Sequence, residues 1–507
     1  MRVLKGQTRL WTHRKRRLTA GGGCGLAGWL LLFAGTALAQ APQAGRNAVG
    51  PPPPLVLSGG TVVDVTGWGH SADDLHDAVI YIRDGRITAV GPRSALPIPK
   101  GSRVIDCTGK YLIPGLVDGF AGMNSQGQAN ANLYMGVTSV VASGDAQRGH
   151  IDMRASPSPH LYLLDSIGST DDWSLLIGRP EWAQKLKDFN GRSVELSPED
   201  TARQLADTAK LGTRVLWLGH DLTAANTQWI VEHAHQMGMV TYGEFVSTPY
   251  RVGVLSDVDV LLHMSRYELG VIPDELQMPL VTDPEGPASR TAYGYSERIP
   301  PTDGHLRDYA RFLASHRTAL MPTFSLFYLR LPNHRNLWLE PAAQALDPRT
   351  LSGLTDRKTG ETLYPLPTWQ RKLPASTQKW LQDGQRRKAD LEADHLWAIN
   401  RTIFEAFPHY LAASGAPAMG TMPGISIHTE LEMLVRLGLS PREALAAATN
   451  NYAEQFHWYE LGQIAPGRRA DIVILNADPT ANIWNVRNID SVLLDGNPLD
   501  REALLNK

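Results

Sequence analysis

The 507-residue chain is poor in cysteine, and this scarcity excludes one way of stabilising a fold. Its 2 cysteines are Cys24 and Cys107, and Cys24 lies in an N-terminal segment that we expect to be removed. A mature chain with Cys107 as its single thiol cannot form an internal disulfide, even in an oxidising compartment. Because Cys107 follows an apolar, β-branched stretch, we predict a small core residue rather than a nucleophile.

The N-terminal segment lacks an apolar run long enough to cross a membrane. Its run GLAGWLLLFAGTALA is shorter than the roughly 20 residues that a bilayer requires. The run follows a basic stretch without acidic residues and ends in a small-x-small pattern at Ala39, which is typical of a secretory signal peptide. We therefore predict a signal peptide at 1–39, a periplasmic or extracellular mature protein, and no stable membrane span. Arg16 and Arg17 leave both Sec and twin-arginine export open.

A surplus of positive charge is absent as well. The full chain has a net charge of −2, and the predicted signal peptide holds 7 basic and no acidic side chains, so their removal leaves −9. This balance does not favour a nucleic acid as partner. The composition, 43% hydrophobic and 20% charged, is that of a globular protein with one large domain and a small one.

Both ends of the mature chain have residue patterns that are typical of β-strands. The proline-rich segment 40–54 predicts an extended linker. Segments 55–113 and 460–507 are rich in β-branched and apolar runs, and Asp84-Gly85 between two such runs indicates a hairpin. We expect the two segments to form one small β-sandwich together.

The middle of the chain, 114–459, alternates short apolar runs with helix-like intervals. This alternation predicts βα units and a parallel barrel. A stretch at about 270–400 is longer than one βα unit requires, and long insertions on barrels usually lie over the active-site face. We interpret this insertion as a lid or a surface for a partner.

Six stretches carry motifs that are specific as a set: LSGGTVVD, IRDGRITAVGP, VIDCTGKYLIPGLVD, MGVTSVV, HTELEMLVRLGLSPREALAAATNNYAE and LGQIAPGRRADIVILNADP. From about Leu55 to the C-terminus the chain resembles the amidohydrolase superfamily, of the imidazolonepropionase-like and prolidase-like kind. The resemblance implies an α/β fold, a (β/α)8 TIM-like barrel with a small β-sandwich built from both chain ends. It also implies hydrolysis of amide, cyclic amide or dipeptide C–N bonds by one or two divalent metal ions that activate water.

Most positions that the resemblance assigns to metal ligands hold residues that cannot bind a metal. The histidine pair of the first strand falls on Phe120 and Gly122, and the bridging carboxylated lysine of strand four falls on Trp217. The aspartate of strand eight falls on Met422, whereas His263 matches the histidine of strand six. Because a divalent ion needs three or four protein ligands, we expect no standard metal site and no cofactor. Zinc is compatible only with a rearranged site.

Four polar residues could form such a rearranged site. The histidine of strand five falls on Gly243 or Glu244, and the sequence leaves this register open. His220, Asp221 and His263 are expected at the ends of strands four and six. Two imidazoles and two carboxylates at neighbouring strand ends could bind a metal or act as acid and base without one.

For a catalytic site we predict Glu244 as the base and His263 as the acid or oxyanion partner. Asp221 would then orient His220. The alternative for this cluster is structural: Asp221 caps the following helix, and Glu244 and His263 make only local contacts.

Two non-catalytic interpretations also remain open. Phe120, Trp217 and Met422 could line a pocket for an aromatic or lipid-like ligand, or could simply fill the barrel mouth. The insertion, with aromatic residues such as Tyr328 and Trp338, could instead bind a catalytic paralogue or a second copy of the chain. The predicted partner is thus a small-molecule amide or an apolar ligand, and enzymatic activity stays open.

Overall fold

The computed structural model describes residues 53–143, 156–167, 197–219, 222–245, 248–272, 298–331, 334–349, 351, 355–361, 363 and 370–506. The predicted signal peptide, most of the linker and parts of the predicted insertion lie outside these residues. The described strands form two sheets, one of eight strands and one of seven.

The strands are β1 (Leu55–Val62), β2 (Leu75–Arg83), β3 (Arg86–Pro92), β4 (Arg103–Asp106), β5 (Tyr111–Pro114), β6 (Leu116–Ala121), β7 (Val137–Ser143), β8 (His160–Ile167), β9 (Val215–Leu218), β10 (Val240–Gly243), β11 (Val260–Leu262), β12 (Ala319–Met321), β13 (Ile472–Leu475), β14 (Ile489–Leu494) and β15 (Asn497–Pro498).

The described helices are α1 (Gln126–Tyr134), α2 (Pro198–Lys210), α3 (Ala224–Gln236), α4 (Tyr250–Leu255), α5 (Met264–Tyr267), α6 (Gly304–Ala314), α7 (Ser325–Tyr328), α8 (Ala375–Phe404), α9 (Ile425–Leu437), α10 (Pro441–Ala447), α11 (Asn450–Phe456) and α12 (Arg501–Leu505). None of these helices combines the length and the apolarity that crossing a bilayer needs.

The eight-stranded sheet joins both ends of the described chain. Its order is β15-β14-β13-β5-β1-β2-β3, with β4 paired to β1, and β5 meets β13 in antiparallel register. Asp84 and Gly85 connect β2 and β3 with φ of 49° and 74°, the left-handed pair that a tight hairpin turn requires. Cys107 is buried in this sheet's apolar core, and burial raises the pKa of its thiol to about 11. The hairpin and the core position of Cys107 are confirmed.

The seven-stranded sheet is parallel and runs from β6 to β12 in sequence order. Segment 409–415 lies between its two edges as the eighth barrel strand. On one side the backbone N–H of Leu411 donates to the carbonyl of Leu320 in β12 (2.9 Å). On the other side Gly415 N–H donates to the carbonyl of Phe120 in β6 (2.9 Å). The predicted (β/α)8 barrel is thereby confirmed.

Side chains on the barrel strands divide into two apolar clusters because successive residues of a strand point to opposite faces. On β9, Leu216 and Leu218 pack with the surrounding helices, whereas Val215 and Trp217 face the barrel interior. The same alternation puts Val240 and Tyr242 of β10 inside. Residues on this inner face, one step beyond the carboxyl end of a strand, therefore line the mouth of the barrel.

Candidate functional site

The structure resolves which residue follows strand five into the mouth. Glu244 continues the inner-face alternation of β10, and its side chain is almost fully buried (5% exposed). Gly243 faces outward, since a Cβ there would lie 2.5 Å from the ring of Phe245 in the outer core. Glu244 rather than Gly243 therefore points toward the end of β11.

His263 follows β11 and meets Glu244. Its Nε2 lies 3.8 Å from Oε2 of Glu244, and its Nδ1 lies 2.7 Å from Oγ1 of Thr323. The Thr323 hydroxyl donates its one proton to the carbonyl of Pro322 (2.6 Å), so it accepts from an Nδ1–H of His263. In the neutral imidazole this leaves the lone pair of Nε2 directed toward Glu244.

Two aromatic side chains cover this pair on the inner face. The ring of Phe120 stands edge-on to the imidazole of His263, with centroids 5.3 Å apart, and edge-on to Trp217 at 5.6 Å. Trp217 Nε1 is buried, and within the described residues it has no hydrogen-bond acceptor. The mouth thus combines an imidazole and a carboxylate with an apolar wall and a buried N–H donor.

A second pair of acids lies buried in the wall behind the mouth. Asp118 in β6 accepts a hydrogen bond from the N–H of Ser414 (2.8 Å), and burial raises its pKa to about 6. Glu430 in α9 accepts from the N–H of Ser325 (2.7 Å), and burial raises its pKa to about 8. The Ser325 hydroxyl donates to the carbonyl of Ser414 (2.7 Å), which links the two acids through one short network.

Sequence reasoning gave Glu430 no role. The available signal was its position inside a helix whose flanking residues are apolar, because a glutamate on a buried helical stripe rarely lacks a partner. Its partner Ser325 belongs to α7, more than a hundred residues earlier, and no local pattern connects them.

Comparison with known proteins identifies the family. A family model described as the amidohydrolase family matches residues 396–499. Over 48 residues the chain is 50% identical to an imidazolonepropionase from Rhizobium rhizogenes, a match that covers 9% of this chain and 12% of that protein. Over 64 residues it is 41% identical to a 5-methylthioadenosine/S-adenosylhomocysteine deaminase from Symbiobacterium thermophilum, covering 13% and 14%. The chain thus matches only a small part of the length of these curated relatives.

The overall architecture agrees with these local matches. The structure of molinate hydrolase superposes with a TM-score of 0.58 at 15% identity and covers 89% of this chain and 96% of that one. The local sequence matches and the shared fold together support the amidohydrolase superfamily for this chain. Members of this family hydrolyse C–N bonds, and they usually depend on metal ions.

One predicted site position is wrong. Met422 does not stand at the end of strand eight but is buried in the outer core, and its N–H donates a hydrogen bond to the hydroxyl oxygen of Ser426 (2.8 Å). The eighth strand ends earlier, at Ser414 and Gly415, because Gly415 turns the chain with φ of 65° and Pro417 cannot donate a ladder hydrogen bond. The strand-eight position is therefore taken by Ser414 or Gly415.

The other predicted residues are placed as follows. Trp217 lies on the fourth barrel strand and His263 at the end of the sixth, as expected. His220 and Asp221 lie outside the described residues. Of the aromatic residues considered for a partner surface, Tyr328 is buried and Trp338 packs on the core and donates to the hydroxyl of Thr355, whereas Trp380 on α8 is exposed.

Whether a metal ion fits at the mouth depends on the side chains there that can act as metal ligands. Among the described residues at the strand ends, Glu244 and His263 are the donors of the carboxylate or imidazole type, whereas catalytic zinc takes three protein ligands. Phe120 and Trp217 occupy strand-one and strand-four positions; the Phe120 ring packs against the imidazole, and Trp217 packs against Phe120. These described residues do not fit the family's metal centre.

Proposed function

We propose that this amidohydrolase hydrolyses the C–N bond of a small amide, cyclic amide or dipeptide, with Glu244 and His263 as an acid–base pair and without the family's usual metal centre. One observation carries this proposal. The carboxylate and the imidazole converge at the ends of adjacent strands five and six, 3.8 Å apart and both nearly buried. General acid–base catalysis needs such a pair within reach of one proton path.

In the proposed reaction Glu244 takes a proton from the attacking water. The water oxygen forms a bond to the carbonyl carbon, and the C–N bond then breaks. The proton passes through Nε2 of His263 to the leaving nitrogen, so that atoms and charges balance. Because the amide oxygen becomes negative during the attack, the N–H of Trp217, which has no acceptor among the described residues, is suited to donate to it.

Thr323 is a positioning residue in this scheme. By accepting from Nδ1–H it fixes the tautomer in which Nε2 of His263 can receive a proton. We expect Thr323→Val to lower kcat by roughly tenfold and to shift the pH profile, since it removes the acceptor and conserves the volume of the side chain.

The walls of the mouth indicate the kind of ligand. Phe120 and Trp217 present ring edges beside the acid–base pair. Such a site suits an amide with an apolar or aromatic substituent, as in apolar pockets with a few placed polar groups.

We also propose that the enzyme acts outside the cytoplasm after cleavage behind Ala39. The basic stretch, the apolar run and the small residues before position 40 support this proposal. N-terminal sequencing of the protein recovered from the producing cells tests it, and an N-terminus that still includes the basic stretch would contradict it. Its acidic mature charge supports a small-molecule partner rather than a nucleic acid.

A second function deserves a test because the Phe120 ring packs edge-on against His263. In this alternative the mouth binds an apolar ligand and performs no hydrolysis. The expected result is a thermal shift with apolar ligands and no product.

A substrate panel of amides, lactams and dipeptides, followed by mass spectrometry, decides between the two. We expect Glu244→Gln and His263→Ala each to lower kcat/KM by at least about 100-fold. The matched controls are Glu502→Gln and His305→Ala, which change exposed residues on helices α12 and α6. Turnover at the wild-type level in both mouth variants would reject the assigned roles.

A further inference from the structure

A second cluster of polar side chains lies at the opposite end of the barrel. His160 is the first residue of β8, Asp471 precedes β13, and Asp495 lies in the turn between β14 and β15. We propose that these three side chains bind a zinc-class divalent cation at the junction of the barrel and the eight-stranded sheet. This site is separate from the mouth, and nothing in the proposed hydrolysis depends on it.

Two of the three distances between the ligand atoms match tetrahedral coordination. Nε2 of His160 lies 3.2 Å from Oδ2 of Asp471 and 3.5 Å from Oδ1 of Asp495, and all three atoms lie within 4.8 Å of one another. Zinc binds nitrogen and oxygen ligands at about 2.0 to 2.2 Å, which puts neighbouring ligands of a tetrahedron roughly 3.3 Å apart. Both pairs that include His160 therefore have about the spacing that one bound ion needs.

The hydrogen bonding of these atoms gives an independent argument for a cation site. Asp471 is 7% exposed, yet within the described residues neither its Oδ2 nor Nε2 of His160 takes part in a hydrogen bond of good geometry. Buried polar atoms that converge without hydrogen-bonding each other are unusual, since more than nine in ten such groups are normally paired. A cation between them would give Nε2 of His160 a partner and would add to the ion pair that Oδ2 of Asp471 makes with Nε of Arg469 (3.1 Å).

Neighbouring groups hold Asp471 in place, as hydrogen bonds to metal-binding carboxylates do at metal sites. Its Oδ1 accepts from the backbone N–H of Asp495 (2.8 Å), and Nε of Arg469 lies 3.1 Å from its Oδ2. Arg469 is itself fixed by donation to the hydroxyl of Tyr162 (3.0 Å). The carboxylate is thus oriented from two sides before any ion arrives.

The charge of the cluster favours a cation. The two carboxylates and Arg469 together carry one net negative charge, so a positive ion is attracted to the space between the carboxylates. An imidazole with two carboxylates suits zinc better than magnesium or calcium, which prefer oxygen ligands. Because the side chain of Asp495 is 49% exposed, a water can complete the coordination.

The test is zinc binding by the EDTA-treated full-length protein at pH 8, where an ordinary imidazole is neutral. We expect about one equivalent of zinc by calorimetry, a higher melting temperature with zinc, and no such shift with magnesium or calcium. Cobalt in place of zinc should give the intense visible bands of a tetrahedral ion.

Two variants remove ligands, and one variant serves as the control. We expect His160→Gln and Asp495→Asn each to weaken zinc binding by at least about tenfold. Asn tolerates the positive φ of 47° at position 495, so the turn is conserved. His263→Ala at the mouth should bind zinc like the wild type.

Two outcomes would overturn the proposal: a wild-type protein that binds no zinc, or equal binding by the wild type and both ligand variants. Zinc binding lost in His263→Ala but kept in His160→Gln would also overturn it, by placing the ion at the mouth. An absence of turnover on every substrate would count against the proposed hydrolysis and leave the zinc result untouched.

Discussion

The two ends of this barrel carry different chemistry. At the mouth, Phe120 packs against the imidazole of His263 and against Trp217, and the imidazole lies beside the carboxylate of Glu244. At the base, His160, Asp471 and Arg469 form a dense ionic cluster where the barrel meets the eight-stranded sheet. In (β/α)8 barrels the mouth generally serves function and the base serves stability. The contrast indicates that metal-binding groups and acid–base groups have separate places in this chain.

The base also holds a cavity of about 430 Å³. Its wall includes His235 at the end of α3 and Asp259 before β11, whose Nε2 and Oδ2 lie 2.8 Å apart. Asp259 accepts in addition from the N–H and the hydroxyl of Thr241 (both 2.8 Å). Polar contacts at this end therefore connect successive barrel strands rather than surround a reacting atom.

The largest expected effect comes from giving the mouth a third metal ligand. Phe120→His places an imidazole beside Glu244 and His263, and we expect the mouth to gain about one equivalent of zinc. The metal content should be measured in proteins that also carry Asp495→Asn, because this substitution weakens the proposed zinc site at the base of the barrel. Phe120→Leu is the matched control and should gain none, whereas unchanged zinc content in Phe120→His would show that the strand ends are too far apart.

A medium effect is expected from the acids behind the mouth. Because burial raises the pKa of Glu430 to about 8 from a usual 4.5, its contribution to stability is complete below pH 4.5 and is lost as pH rises toward 8. The free energy of unfolding of the wild type should therefore decrease as pH rises from 6 to 8. We expect Glu430→Gln to reduce this decrease by about 1.4 kcal/mol per pH unit. Urea unfolding across that range measures it, with Glu502→Gln as the control; parallel curves for Glu430→Gln and wild type would contradict it.

The smallest effect is expected at the base. Asp259 raises the pKa of His235, so this pair stabilises the fold below about pH 6.5 and loses its effect as pH rises through the folded-state pKa. The imidazole is 35% exposed, which screens the interaction. We expect His235→Gln to lower the unfolding free energy at pH 5.5 by roughly half a kcal/mol and hardly at pH 8.5. A larger loss at the higher pH would reverse this assignment.

Local sequence patterns were sufficient to predict the elements that depend on neighbouring residues. Asp84-Gly85 predicted its hairpin, and the alternation of apolar runs predicted a parallel barrel. Glu244 and His263 were expected near the ends of strands five and six because parallel strands present their carboxyl ends at one edge. The choice between Gly243 and Glu244 required the structure, because a one-residue change of register reverses the face of every side chain.

Other features depend on contacts between distant segments. Met422 was misplaced because an apolar run after Pro417 reads like a strand, although the barrel closes before that proline. The cluster of His160, Asp471 and Asp495 has no sequence spacing that could reveal it, since more than three hundred residues separate the histidine from the nearer aspartate. Burial of Glu430 was hidden for the same reason.

The pairing of β5 with β13 has a consequence for how the chain is made. Pro114 faces Ile472 across this ladder, so the ribosome must produce the entire barrel before β5, which already pairs with β1, acquires its second neighbour. Until then the amino-terminal strands present an open sheet edge, which is the part of a nascent protein most inclined to pair with the wrong chain. Strands β13, β14 and β15 therefore complete the sheet only after the barrel between its two parts has been synthesised.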